Sequence, residues 1–151
     1  MKSYILTDSH HKVLDNLKHN LQRNLDHWQI KDHPDGASLH MENEQDQTSA
    51  TVTMLDWETF SETEEELEAD LVLGADIVFD PEVLPSLVRT VRTLLGRREN
   101  CQAVVACCVR NRQTFSLFLS LITESNMSFV KEEMRELTCD IPVYLVTIST
   151  I

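Results

Sequence analysis

The stretch Asp70-Leu-Val-Leu-Gly-Ala-Asp-Ile-Val-Phe-Asp-Pro81 decides the fold of this chain. Leu71, Val72 and Leu73 are consecutive apolar residues, where a half-exposed strand would alternate apolar with polar. The run predicts a strand covered on both faces, the habit of parallel sheets. Gly74 lets a backbone or a ligand come close, and Asp76 falls just beyond the strand's carboxyl end. In open α/β sheets that end is where ligands bind.

Downstream, Asp80-Pro81 opens a helical segment whose regular part starts near Leu84, because Pro85 suits a first turn. Leu84, Leu87, Val88, Val91, Leu94 and Leu95 recur at helical spacing as its buried stripe, and Gly96 ends it. Residues 102–109 read as another buried strand, and 114–124 as a helix with Phe115, Phe118, Leu119 and Ile122 inward. Residues 126–131 and 142–150 read as a closing antiparallel hairpin.

Upstream, residues 3–8 are a short β-prone run ending in Asp8. A helix follows over 12–25, with Val13, Leu14, Leu17, Leu21 and Leu25 on one face and Ser9 able to cap it. Residues 29–47 are polar and include Pro34, Asp35 and Gly36, so they are expected to form a long mobile loop. Residues 50–55 alternate like a strand and end in Asp56-Trp57, and the acidic run 61–68 reads as a short solvated helix. Strands alternating with helices predict an α/β fold with a parallel sheet and right-handed crossovers, in a single domain over residues 1–151.

Composition narrows the function. The 151 residues suit one domain with a real core, and 42% apolar residues exclude a disordered chain. A formal net charge of −12 argues against nucleic-acid binding through phosphates. There is no charged leader with an apolar run behind it and no apolar stretch of about 18 residues. A soluble, intracellular protein without a membrane role is expected. Cys107 and Cys108 lie in an apolar run and read as reduced, buried thiols. The cysteines and six histidines lack metal-ligand spacing, so no metal site is expected.

Three strands end in an acid or its neighbour: Asp8, Asp56 and Asp76. In a parallel sheet they would share one rim, where a carboxylate can accept both hydroxyls of a ribose. Trp57 offers a flat apolar face on which an adenine could stack. Strand-end acids also serve as helix caps and turn formers, so both readings stay open. With only Gly36, Gly74 and Gly96, there is no Gly-x-Gly-x-x-Gly turn and no Walker loop. No nucleophile elbow is present. A phospho-receiver domain would need an acidic pair after the first strand and a lysine after the last parallel one. Here Ser9 follows Asp8 and Arg110 follows Val109.

Taken in order, Ile5-Leu-Thr-Asp8, Val13-Leu-Asp-Asn-Leu17, Leu55-Asp-Trp57, Val72 to Glu82 and Val109-Arg-Asn111 carry a resemblance. The chain resembles seven-strand S-adenosylmethionine-dependent methyltransferases of the protein-lysine group, within it the elongation factor 2 lysine methyltransferases. The resemblance implies a Rossmann-like class I methyltransferase sheet, mostly parallel with a C-terminal antiparallel hairpin. It also implies S-adenosyl-L-methionine as methyl donor, elongation factor 2 as protein substrate, and a cytoplasmic setting. It assigns the donor's ribose hydroxyls to Asp8 and the flanks of the adenine to Asp56 and Trp57. Ala75 and Asp76 fall by the methionine part and the incoming lysine, with Phe79 walling the lysine slot. Family members often carry Tyr where Phe79 stands, so a hydroxyl contact to the amine is not expected here.

The family also has a first, central strand and a Gly-rich turn ahead of the segment that begins here at Ser3. This sequence is expected to lack both, leaving two buried strand edges without a ladder partner. Each unpaired buried group costs about 1–3 kcal/mol. A fragment of a longer methyltransferase, with weak donor binding and little turnover by the chain alone, is one expectation. Another is a non-catalytic acidic interaction module, its sheet completed by a partner chain through strand addition.

Overall fold

A computed structural model of the chain describes residues 2–24, 28–32, 38–43, 45, 47–61, 67–135 and 140–151. Strands β1 (Lys2–Asp8), β2 (Gln29–Asp32), β3 (Leu39–Asn43) and β4 (Thr48–Met54) form one sheet with helix α1 (His11–Asn24). Strands β5 (Leu71–Ala75), β6 (Gln102–Cys108), β7 (Met127–Glu133) and β8 (Val143–Thr150) form a second, with α2 (Leu84–Leu95) and α3 (Arg112–Glu124). The chain divides into two compact units on these lines, residues 1–56 and 57–151.

In the first unit the strand order is β1-β4-β3-β2. β1 runs parallel to β4, with Lys2 opposite Thr48 and Asp8 opposite Met54, and the other two pairings are antiparallel. Leu14, Met41, Ala50 and Val52 supply the apolar interior. The loop expected over 29–47 is overturned, because β2 and β3 are a paired hairpin within it. Met41 is buried to 2% exposure between His40 and Glu42, whose side chains find polar partners. His40 Nδ1 lies 2.9 Å from Thr51 Oγ1 on β4, and Lys31 Nζ lies 3.9 Å from Glu42 on β3. The strand alternation is there, but polar residues with cross-strand partners mask it.

Helix α1 buries only Leu14 fully, and Val13 is 41% exposed, so the expected stripe is half realised. At its entry Asp8, not Ser9, supplies the turn: Asp8 Oδ1 accepts the His10 N–H at 2.8 Å.

The second unit has the order β5-β6-β8-β7. β5 and β6 are parallel, while β8 is antiparallel to both β6 and β7. The expected closing hairpin is present, with β8 placed between its partner and β6. Period-2 alternation sends Ala103, Val105 and Cys107 of β6 and Val146 and Ile148 of β8 to one face. All six stripe residues of α2 are buried, together with Phe115, Phe118 and Ile122 of α3. Most of these pack on that face as one core. Helix α3 starts earlier than the apolar spacing predicts, because the Asn111 side chain accepts the N–H groups of Gln113 and Thr114. Gly96 closes α2 at φ −75°, so the stop there uses no left-handed turn. The acidic helix expected over 61–68 falls largely outside the described residues.

The strand expected to be covered on both faces is an edge strand. Among the described residues β5 pairs only with β6, and Leu71 and Leu73 are 51% and 72% exposed. α2 and α3 cover one face of its sheet, where Val72 packs, and Leu71 and Leu73 point the other way. β1 is likewise the edge of its sheet, with Tyr4 56% exposed.

Cys101, Cys107 and Cys108 are free thiols. Burial, then the neighbouring Cys108 and Asp76, pushes the Cys107 thiol up to about 12. It stays protonated and inert.

Phe118, fully buried between α3 and the sheet, tests this core. We expect Phe118→Ala to destabilise the second unit by about 3–5 kcal/mol in urea unfolding. A loss under about 1 kcal/mol would mean that α3 does not close the core in solution.

Candidate active site

The parallel pairs decide where the acids stand. In the first unit the carboxyl ends of β1 and β4 lie side by side, and Leu55 extends the ladder by donating to the Asp8 carbonyl at 3.1 Å. Asp8 and Asp56 therefore share one rim. Asp8 is half-buried and commits only Oδ1, to the His10 N–H. Its second oxygen has no protein partner among the described residues.

In the second unit the corresponding rim is made by β5 and β6. Asp76 adopts φ 56°, in the left-handed region that Asp tolerates better than most residues. Its N–H continues the ladder to the Ala106 carbonyl at 2.9 Å, and its Oδ2 accepts from the Arg110 guanidinium at 2.8 Å. Ala75 ends β5 and is exposed. The chain then turns through half-buried Ile77 and buried Val78 to Phe79, which is 61% exposed. Asp80 holds the next turn by accepting the Glu82 N–H at 2.9 Å.

Gly74 has a different reason from the one expected. A Cβ there would collide with the Ile77 side chain, which folds back over the strand. The close approach is thus made by the site's own loop.

Trp57 is half-buried against the second unit's core. One guanidinium nitrogen of Arg89, on α2, donates to the carbonyls of Trp57 and Glu58 at 2.9 and 3.3 Å. The structure thus places Asp8 and Asp56 on one rim of the first unit, and Trp57, Ala75, Asp76 and Phe79 in the second. Arg89 and Arg110 are additions that sequence reasoning missed. Their contacts span 32 and 34 residues, and only the three-residue match at 109–111 hinted at Arg110. Among the described residues no three His, Cys, Asp or Glu side chains converge to hold a metal ion.

Two mixed sheets, each with one parallel pair, and three helices form an α/β fold of the kind solved in class I methyltransferases. The chain matches a SAM-dependent methyltransferase from Methanosarcina mazei with TM-score 0.61 and 10% identity, over 99% of this chain and 82% of that one. It matches magnesium protoporphyrin IX methyltransferase from Synechocystis, solved with bound SAM, with TM-score 0.57 and 9% identity, over 97% of this chain and 59% of that one. A lysine methyltransferase family profile matches residues 2–125, and the chain belongs to that family. It is 32% identical over 143 residues to human protein-lysine N-methyltransferase EEF2KMT, covering 89% of this chain and 39% of that protein. Protein-lysine N-methyltransferase EFM3 of Chaetomium thermophilum is 35% identical over 63 residues, 42% of this chain and 19% of that protein. The chain spans about two fifths of the length of human EEF2KMT.

The crowding at Gly74 is testable. Gly74→Ala forces Ile77 aside, so we expect about 1–3 kcal/mol of destabilisation by urea unfolding. Amide shifts should move through residues 76–79. An unperturbed spectrum in that loop would mean that Ile77 does not seat on the strand.

Proposed function

We propose that this chain serves methyl transfer from S-adenosyl-L-methionine to a lysine of elongation factor 2, in the cytoplasm. The observation that carries this reading is the lysine methyltransferase match over residues 2–125, which spans Asp8 and Asp76 at the carboxyl ends of parallel strands. The elongation factor 2 target is supported by the likeness to EEF2KMT.

Each unit on its own carries groups suited to part of the donor. Asp8 is held in one orientation by the His10 N–H and keeps an acceptor oxygen for ribose hydroxyls. Trp57 supplies a stacking face on a backbone fixed by Arg89. When bound, the donor supplies an electrophilic methyl on a sulfonium. Asp76 accepts from the lysine amine and orients it, while Phe79 walls the slot and excludes water. The methyl would pass to the neutral amine as the donor's C–S bond breaks to leave a thioether, and the amine's proton would go to solvent. No covalent bond to the protein is needed.

Calorimetric titration of the folded chain with S-adenosylhomocysteine tests the donor site, and micromolar binding would support this reading over the weak binding expected from the sequence. Trp57→Ala should weaken it by about 1–3 kcal/mol, the usual worth of a base–aromatic stack. A chain that is folded by circular dichroism but silent in the titration would remove the donor site from this reading.

A second reading, a module completed by a strand from a partner chain, is favoured by the edge strands. β1 and β5 each pair on one side among the described residues and expose Tyr4, Ile5, Leu71 and Leu73. On that reading Leu73→Lys lowers self-association in sedimentation and leaves the urea midpoint unchanged. A clear drop in the midpoint would mean that Leu73 is already covered within the chain.

A further inference from the structure

Arg110 has no part in the mechanism above, yet among the described residues it makes the one side-chain bond to Asp76. Its Nη2 lies 2.8 Å from Asp76 Oδ2 across 34 residues of sequence. Both side chains are well exposed, at 59% and 44%, and exposed ion pairs contribute little to stability. The geometry around the pair is nevertheless fixed from several directions. Asp76 sits at φ 56° with its N–H bonded to Ala106 on β6. Arg110 leaves the end of the same strand. Its own N–H donates to the Cys108 carbonyl at 2.9 Å, and the preceding Val109 N–H donates to the Pro142 carbonyl at 2.9 Å. β6 and the residue that follows its end therefore hold Asp76 twice, Ala106 by backbone and Arg110 by side chain. A left-handed residue held this way at a strand's carboxyl end is the kind of local constraint that functional sites keep.

We infer that Arg110 is a positioning residue for the lysine slot, an inference that rests on the methyltransferase reading of Asp76. By occupying Oδ2, Arg110 fixes the carboxylate's rotamer and leaves Oδ1 as a single acceptor for the substrate amine. An amine held by one oxygen in one place is aimed, whereas a carboxylate free to rotate would bind it in several orientations and align few of them. The guanidinium charge also offsets that of the carboxylate. It thereby disfavours an ammonium, whose nitrogen has no lone pair to attack with.

The test is steady-state methylation of elongation factor 2 by the full 151-residue chain and its Arg110→Gln and Arg110→Lys variants, beside S-adenosylhomocysteine titrations. We expect Arg110→Gln to lower kcat at least tenfold. KM for the protein substrate and the Kd for S-adenosylhomocysteine should stay within twofold, and Arg110→Lys should recover most of the loss. An unchanged kcat, or a KM rise at constant kcat, would overturn the inference. If the unmodified chain shows no turnover, the functional reading fails and the positioning claim is read separately by carbon-13 spectroscopy. Arg110→Gln should then move the Asp76 carboxyl resonance and its amide–Hα coupling, and Arg112→Gln should move neither. Resonances indifferent to Arg110→Gln would sink the positioning claim on its own.

Discussion

The parallel pairing of β5 with β6 is the constraint on which the second unit depends. Two parallel neighbours cannot be joined by a tight turn, so the chain must leave the end of β5, cross a face and return. α2 is that crossover, and its apolar stripe meets the inward residues of β6 and β8 because the crossover must lie on the sheet. The same pairing puts the carboxyl ends of β5 and β6 side by side. Asp76 and Arg110 therefore meet although a whole helix and strand separate them. In the first unit the parallel pair β1–β4 does the same for Asp8 and Asp56, with α1 and the β2–β3 hairpin in the connection.

That constraint also explains where the apolar surface is left open. A strand sends alternate side chains to opposite faces, so α2 and α3 can bury only half of β5. Val72 goes to them, while Leu71 and Leu73 do not. Leu-Val-Leu satisfies two faces at once, and the structure shows one of those faces dressed. Exposed large apolar residues on a strand with a free edge favour association over solubility.

Legibility in the sequence followed the range of the interactions. α2 could be read residue by residue because its stripe and its proline are local and mutually consistent. The closing hairpin was legible from alternation in residues 143–148. The β2–β3 hairpin was not, because His40, Glu42 and Lys31 read as solvent-facing until their cross-strand partners are known. The edge position of β5 was equally hidden, since a run of apolar residues carries no information about which neighbours are present. Asp8, Asp56 and Asp76 could be placed at the carboxyl ends of strands from their position in the sequence. Arg89 and Arg110 could not, because an arginine reads as surface until the fold brings a carbonyl or carboxylate to it.

The strand-end acids show why a choice that looks exclusive need not be one. An aspartate after a strand can be read as a turn former or as a ligand acceptor, and the two readings compete only if the carboxylate is treated as one group. It has two oxygens. At Asp8, one takes the His10 N–H and sets the entry to α1, which locks the rotamer and aims the other. At Asp76, Arg110 takes one oxygen and the ladder bond to Ala106 fixes the backbone beneath it. A structural partner on one oxygen thus leaves the other a directed acceptor rather than a mobile one, so the turn-forming role and the proposed ligand-binding role are compatible.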